Sequence, residues 1–276
     1  MTSRPPAPDP LPVAVVDNHA HLDIHRDGEA PPEPAQALAE AAAVGVDRVV
    51  QIGCDLESAR WTVRVIEDHP SLLGGVALHP NEAPRHEQAG DLEDALGEIR
   101  ELARRPRVRV VGETGLDYFR TGPEGVAAQQ ESFRAHIGIA KGLGLALQIH
   151  DRDAHQDVLR ILAEEGAPER TVLHCFSGDM EMARECVRRG YYLSFAGTVT
   201  FKNATDLRNA LSVTPLEHLL VETDAPYLTP HPHRGRTNAP YLVPLTVRAM
   251  AATLNTSVPQ LCEAISANSE AVYGPW

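Results

Sequence analysis

Two imidazoles stand two residues apart in DNHAHLD (17–23), immediately after the apolar run VAVV (13–16). Side chains at i and i+2 of an extended chain point to the same side. His19 and His21 therefore project together from a strand end, where paired nitrogens can grip a metal ion. Further donors follow other short apolar runs: Glu113 in VVGETGLDYF (110–119), His150 in ALQIHDRDA (146–154), His174 in TVLHCFSG (171–178) and Asp224 in LLVETDAPYL (219–228). Each alone has a plain alternative, since a strand-end His or acid often caps a turn or the next helix. Their shared position points instead to one site. Mixed imidazole and carboxylate donors suit zinc, manganese or iron, and the carboxylate content admits magnesium. Six side chains exceed the needs of one tetrahedral ion, so two divalent cations sharing a bridge are expected. Neither lysine of the chain, Lys141 or Lys202, ends a strand, which argues against a carboxylated-lysine bridge and against Schiff-base chemistry. Glu113, from the middle of the series, is the expected bridge.

Something must bring these donors to one rim. Short β-branched runs at 13–16, 48–53, 73–78, 108–112, 145–149, 171–173, 192–195 and 219–221 alternate with segments rich in Ala, Leu, Glu and Arg at 34–44, 57–68, 92–104, 129–143, 153–165 and 179–189. Strand then helix, repeated, means parallel strands with helical crossovers. Eight strands in this length fit a closed (β/α)8 barrel, an α/β fold of the TIM type, whose chemistry sits where strands end and loops begin. Residues 1–12 (MTSRPPAPDPLP) read as a flexible Pro-rich lead-in, and 13–276 as a single catalytic domain whose last part, from Tyr241, is helical cover with Ser257 as an N-cap.

Composition narrows the partners. The formal charge of −13 argues against broad electrostatic binding of nucleic acid or of an anionic membrane, while leaving room for a local cationic site. Cys54, Cys175, Cys186 and Cys262 lack C-x-x-C spacing and read as idle thiols of a reducing compartment. No segment approaches the ~20 apolar residues of a membrane span, and the N-terminus lacks the apolar core of a signal peptide. A cytoplasmic protein with no membrane and no obligate protein partner is expected.

The signatures DNHAHLD (17–23), VGETGLDYF (111–119), QIHDRDA (148–154), HCFSG (174–178), VETDAPYL (221–228) and PHRGRTN (232–238) resemble, in order and over nearly the whole chain, the TatD family of metal-dependent deoxyribonucleases. The resemblance implies a TIM-type barrel, two divalent metals and 3′-to-5′ removal of nucleotides from single-stranded DNA ends. It implies that His19, His21 and Asp224 hold one metal, that His150 and His174 hold the other, and that Glu113 bridges them. Asn18 and Ala20 stand where the family often has Cys or Thr, Thr114 where it often has Ile, and Ala239 where a Glu often follows the asparagine. None of these departures removes a ligand.

The expected mechanism is attack by a metal-activated hydroxide, with Asp224 as general acid and base. A different hydrolase using the same donors, acting on an ester or amide such as a D-aminoacyl-tRNA or a lactone, is the main rival. A metal-binding module without catalysis is the other. Arg152 is a candidate for a substrate phosphate, or for a salt bridge to Asp151 or Asp153. Ser177 and Arg234 are further substrate candidates. Glu222 and Asp17 are expected to support ligands, and His79 to line the pocket without binding metal. Tyr118 and Phe119 are read as core, with base stacking as the alternative. Cys175 is expected to face away from the site. His25, His69, His86, His136, His155 and His218 are read as ordinary surface or helix residues.

Overall fold

The computed structural model describes residues 4–276 except 25, 27 and 29, so the expectation for His25 lies outside the described residues. Eight strands lie in the order β1 (Val15–Ala20), β2 (Val46–Gly53), β3 (Leu72–Val76), β4 (Val108–Asp117), β5 (Ala146–Arg152), β6 (Thr171–Leu173), β7 (Tyr192–Phe195) and β8 (Leu219–Val221). Each pairs in parallel with the next. The ring closes between the two ends of the series: the Asp224 amide donates to the His19 carbonyl at 2.9 Å, and the His21 amide to the Ala225 carbonyl at 2.8 Å. Strands covered on both faces can be continuously apolar, which is why runs such as LLGGV (72–76) and LLV (219–221) carry no alternation.

The crossovers are α1 (Pro34–Ala42), α2 (Leu56–Asp68), α3 (Ala83–Ala89), α4 (Leu92–Ala103), α5 (Val126–Leu143), α6 (His155–Glu165), α7 (Met180–Arg188) and α8 (Thr205–Val213), followed by α9 (Val243–Leu254) and α10 (Val258–Tyr273). Side-chain caps set several starts. Asp55 and Ser58 form a reciprocal capping box on α2, Asp179 caps α7, and Ser257 caps α10 as expected. The large apolar layer lies between strands and helices. A smaller cluster fills the barrel floor: Val16, Val50, Ile52, Leu73, Val110, Ala146, Val172 and Leu220 meet Val272 and Tyr273 at the end of α10.

Three features differ from the sequence-based expectation. First, β1, β4 and β5 run on to Ala20, Asp117 and Arg152, because β4 and β5 keep pairing along the rim, Gly115 with His150 and Asp117 with Arg152. Glu113 and His150 therefore project from within strands rather than from beyond their ends. Secondly, α3 and α8 are additional helices, both rich in polar residues and lacking a long apolar stripe. Thirdly, the segment expected to be a flexible lead-in packs on the barrel from Arg4 to Leu11. Tyr241 Oη donates to the Pro5 carbonyl at 2.7 Å, the Leu11 amide to the Val44 carbonyl at 3.0 Å, and Arg248 to the carbonyls of Asp9 and Pro10. Proline-rich backbone keeps its carbonyls free, and side chains of α9 and its lead-in collect them. Among the described residues no helix is long and apolar enough to cross a membrane, and no disulfide forms.

Candidate active site

The six donors arrive from five strands. β1 supplies His19 and, one residue past its end, His21; β4 supplies Glu113 and β5 His150. The turns after β6 and β8 supply His174 and Asp224. Those two turns need unusual backbone. Asp224 has φ 55° and Cys175, next to His174, has φ 43°. Left-handed backbone is uncommon outside glycine, is best tolerated by Asp and Asn, and concentrates at functional sites. The Asp224 turn is pinned from two sides. Asp17 accepts from the Thr223 amide at 2.8 Å and from its hydroxyl at 2.6 Å, and Asn238 Nδ2 donates to the carbonyls of Thr223 (2.9 Å) and Tyr227 (2.6 Å). Asp17 thus fixes the Asp224 turn rather than a histidine ring. Burial raises its carboxyl to about 8 against the opposing pull of those Thr223 bonds. Asn238 explains structurally why an asparagine ends the RGRTN stretch.

Hydrogen bonds decide which face each imidazole offers. Gln148 Nε2 donates to the Asn18 carbonyl and to Tyr273 Oη, both at 2.8 Å, so its Oε1 is left to accept from His19 Nδ1 at 2.8 Å. His21 Nδ1 donates to the Ile52 carbonyl at 2.9 Å. Both Nε2 atoms therefore turn lone pairs inward, and they lie 3.2 Å apart. Around them stand Glu113 Oε1, at 3.6 Å from His19 and 3.5 Å from His21, and Asp224 Oδ1, at 3.8 Å and 3.4 Å. On the other side, Glu113 Oε2 lies 2.9 Å from both His150 Nδ1 and His174 Nε2. His174 Nδ1 faces Glu222 Oε1 at 3.2 Å, and the same oxygen accepts the Cys175 amide at 2.7 Å. His150 Nε2 has no well-formed hydrogen bond, although Asp117 Oδ2 is 3.3 Å away.

Buried lone pairs facing one another are costly unless positive charge stands between them. Protons partly fill that need. Burial disfavours a charged ring, yet Asp224 and Glu113 hold His21 up at about 10, and Glu113 and Glu222 hold His174 well above its ordinary range. His19 is pushed down by burial and by the neighbouring His174. Burial works against ionising Glu113, but the charge on His174 and the hydrogen bonds from His150 and His174 hold it well below the carboxylate range. Asp224 is likewise held low against burial, by the hydrogen bond from His21. Divalent cations could replace these protons, and the donors are near enough: among the described residues, His19–His21–Glu113 and Glu113–His150–His174 each bring ligand atoms within 4.8 Å of one another. The residues present fit metal.

A cavity of about 840 Å³ opens on this centre. Arg152 and Ser177 line it. Arg152 makes no ion pair with Asp151 or Asp153; Asp151 is taken by His155 at 2.8 Å, and the Arg152 guanidinium lies over the Phe119 ring at 3.9 Å. Ser177 Oγ donates to the Asp151 carbonyl at 3.1 Å. Arg234 is not brought to the cavity lining and stacks on Phe201 at 3.9 Å. His79 lines the cavity; its Nδ1 accepts the Asn81 amide at 3.1 Å, so a neutral ring carries its proton on Nε2, 3.8 Å from Glu113 Oε2. Burial holds the ring neutral, down at about 3.

Several residues escaped the sequence reading. Cys175 lines the cavity because strand alternation stops where β6 ends, at Leu173. Cys54 Sγ lies 3.2 Å from Glu113 Oε1, and its place one residue past β2 was the available signal. Asp117 beside His150 and Gln148 behind His19 carried no local mark. His136 lies in a helix, α5, but is wholly buried: its Nε2 accepts the Leu78 amide at 3.1 Å and its Nδ1 donates to the Ser132 carbonyl at 2.7 Å.

Residues 16–274 match the family model described as TatD related DNase. The chain is 46% identical over 265 residues to the uncharacterized metal-dependent hydrolase TatD of Mycobacterium tuberculosis, covering 94% of this chain and 98% of that one. It is 38% identical to the uncharacterized metal-dependent hydrolase YcfH of Escherichia coli K12, over 92% of this chain and 93% of that one. The crystal structure of YJJV, a TatD homologue from Escherichia coli K12, superposes with a TM-score of 0.86 at 24% identity, over 95% of this chain and 98% of that one. The organophosphorus hydrolase of Deinococcus radiodurans shares the fold alone, with a TM-score of 0.64 at 16% identity over 96% and 93% of the two chains.

Proposed function

This chain belongs to the TatD related DNase family and is a metal-dependent hydrolase, and on that premise we propose that it is a two-metal phosphodiesterase removing nucleotides from the 3′ end of single-stranded DNA. One observation carries the two-metal reading: the two oxygens of Glu113 divide the histidines into pairs, Oε1 facing His19 and His21, Oε2 facing His150 and His174. A single bridging carboxylate between two half-sites is what a binuclear centre requires. His19, His21 and Asp224 would hold one cation, His150 and His174 the other, with Glu113 shared. Bound there, divalent cations (magnesium, manganese or zinc) would lower the pKa of a water and offset charge developing on the phosphate.

The remaining work falls to side chains of the chain. Asp224, ionised and turned to the open side of the centre, accepts the proton of the attacking water and can return it to the leaving oxygen. His79 offers its Nε2 proton to a phosphate oxygen, because its Nδ1 is committed to the Asn81 amide. Arg152 and Ser177 stand at the cavity wall to receive a phosphate. Gln148 holds the His19 ring with its Nε2 lone pair inward.

The test is direct. The protein is stripped, reloaded with magnesium, manganese or zinc, and assayed on 5′-labelled and 3′-labelled single strands and on ester and lactone panels. Two cations per chain and a ladder shortening from the 3′ end are expected. Turnover of esters or lactones with intact oligonucleotides overturns the substrate, and one cation at saturation overturns the bridge.

A further inference from the structure

Among the described residues, two large apolar side chains stand out from the surface: Phe119, 64% exposed, and Tyr227, 41% exposed. Tyr227 lies in the wall of the active-site cavity and Phe119 beside it, against Arg152. Phe119 follows β4 by two residues and is held against Arg152, which lines that cavity; Tyr227 lines it directly. In a ring of eight strands taken in order, β4 and β8 are opposite one another, so loops following them face each other across the mouth.

Resting on the nuclease reading, we propose that Phe119 and Tyr227 are stacking platforms for unpaired bases of a single-stranded DNA end, one on each side of the metal centre, with Arg152 serving the phosphate between them. Both rings are preorganised. Arg152 covers one face of Phe119 at 3.9 Å, so its exposed area is the other face. Tyr227 is anchored at both ends of its peptide unit: its amide donates to the Asp224 carbonyl at 2.8 Å and its carbonyl accepts from Asn238. Its ring meets the His21 ring edge-on at 6.4 Å, which sets it directly beside the centre. Tyr118, the neighbour of Phe119, is excluded from this role. Its hydroxyl donates to Asp157 at 2.8 Å and accepts from Gln130 at 2.8 Å, which turns it away from the opening.

Every base offers a π face, so stacking selects unpaired bases without reading sequence. The charge around the opening points the same way. Arg85, Arg120 and Arg152 line the cavity, but so do Asp55, Glu82 and Glu124, and Arg85 is paired with Glu82 at 2.7 Å. A long duplex would press phosphates on those acids, whereas a single strand end needs only the cations, one or two arginines and two rings.

The experiment compares wild type with Phe119→Ala, Tyr227→Ala and the milder Phe119→Leu, all metal-loaded, on one single-stranded oligonucleotide and on the same oligonucleotide made abasic at its last two 3′ positions. Wild type is expected to favour the base-bearing end in kcat/KM by roughly five- to hundredfold. Each alanine variant should lose most of that preference through KM, and Phe119→Leu part of it. A fluorescent 2-aminopurine at the 3′ end should be quenched on binding to wild type and less so by the variants. Equal kcat/KM for the two substrates, or an undiminished preference in folded variants, overturns this inference and leaves the nuclease reading standing. Failure of wild type to cleave either oligonucleotide overturns both.

Discussion

The two ends of the barrel interior are built on opposite terms. At the floor, eight strand residues from Val16 to Leu220 close on Val272 and Tyr273, and the Tyr273 hydroxyl is satisfied by Gln148. At the rim, four imidazoles and two carboxylates are crowded within 4 Å of their neighbours, several with lone pairs opposed. The floor follows from hydrophobic burial, which favours folding by ~25 cal/mol per Å² of apolar surface. The rim follows from no stability rule, since buried polar groups without complementary partners oppose folding. Groups kept at such a cost mark a site built for cations and chemistry.

The contrast breaks if rim substitutions behave like floor substitutions. The largest expected effect is that of Asp224→Asn on turnover, a loss on the order of 10²–10⁴ in kcat, with Tm unchanged or raised. Asn tolerates the left-handed backbone that Asp224 adopts, so the turn is kept while the proton acceptor is lost. Steady-state rates beside thermal melts decide it; a variant with wild-type kcat removes Asp224 from the mechanism. Next is Gln148→Leu, which severs rim from floor. His19 Nδ1, the Asn18 carbonyl and Tyr273 Oη all lose a partner. Metal affinity, read by calorimetry, should fall roughly 10- to 100-fold. Chemical denaturation of the metal-free protein should show a loss of about 1–3 kcal/mol, the cost of leaving a buried polar group unpaired. Unchanged affinity would mean that His19 needs no help in presenting Nε2.

The difference between rim and floor also explains what could be read from the sequence. His19, His21, Glu113, His150, His174 and Asp224 each follow a short apolar run, so strand-end logic indicated that they converge. The eight strands were visible as short, largely apolar stretches alternating with helical segments. Gln148 and Tyr273 are 125 positions apart, and only the closed barrel puts one on the other. Strand extension past Gly112 and Ile149 was hidden because rim residues are polar, although the backbone goes on pairing beneath them. Arg234 shows the converse: its motif suggested a phosphate, and its ring partner Phe201 lies 33 positions earlier in sequence, where no local pattern pointed to it.

A third expectation concerns His136, which lies outside both regions. Burial pulls it down from 6.5 to about 4, against the opposing Ser132 carbonyl bond. The folded state therefore binds fewer protons than the unfolded chain between these values. The stability contributed by the neutral ring is fully present above pH 6.5 and is lost as pH falls towards 4. The shift amounts to about 3 kcal/mol at most. Urea unfolding of the metal-free protein at pH 7 and pH 4.5 should show a steeper acid loss for wild type than for His136→Gln. Parallel losses would place the acid sensitivity elsewhere.

The smallest effect tests the boundary itself. Tyr273→Phe removes the Tyr273 hydroxyl at the floor and nothing else. Gln148 Nε2 keeps its bond to the Asn18 carbonyl, so its amide stays in the orientation that presents Oε1 to His19. Stability should fall by about 1 kcal/mol, the net worth of an ordinary hydrogen bond. Metal affinity should move by less than about threefold, because a shift under 0.7 kcal/mol is all that a still-oriented amide would transmit. An affinity loss as large as that of Gln148→Leu would show that the floor hydroxyl, not the strand carbonyl, sets the amide. The last turn of α10 would then belong to the metal centre, and the division between a floor made for folding and a rim made for chemistry would have to be redrawn one layer lower.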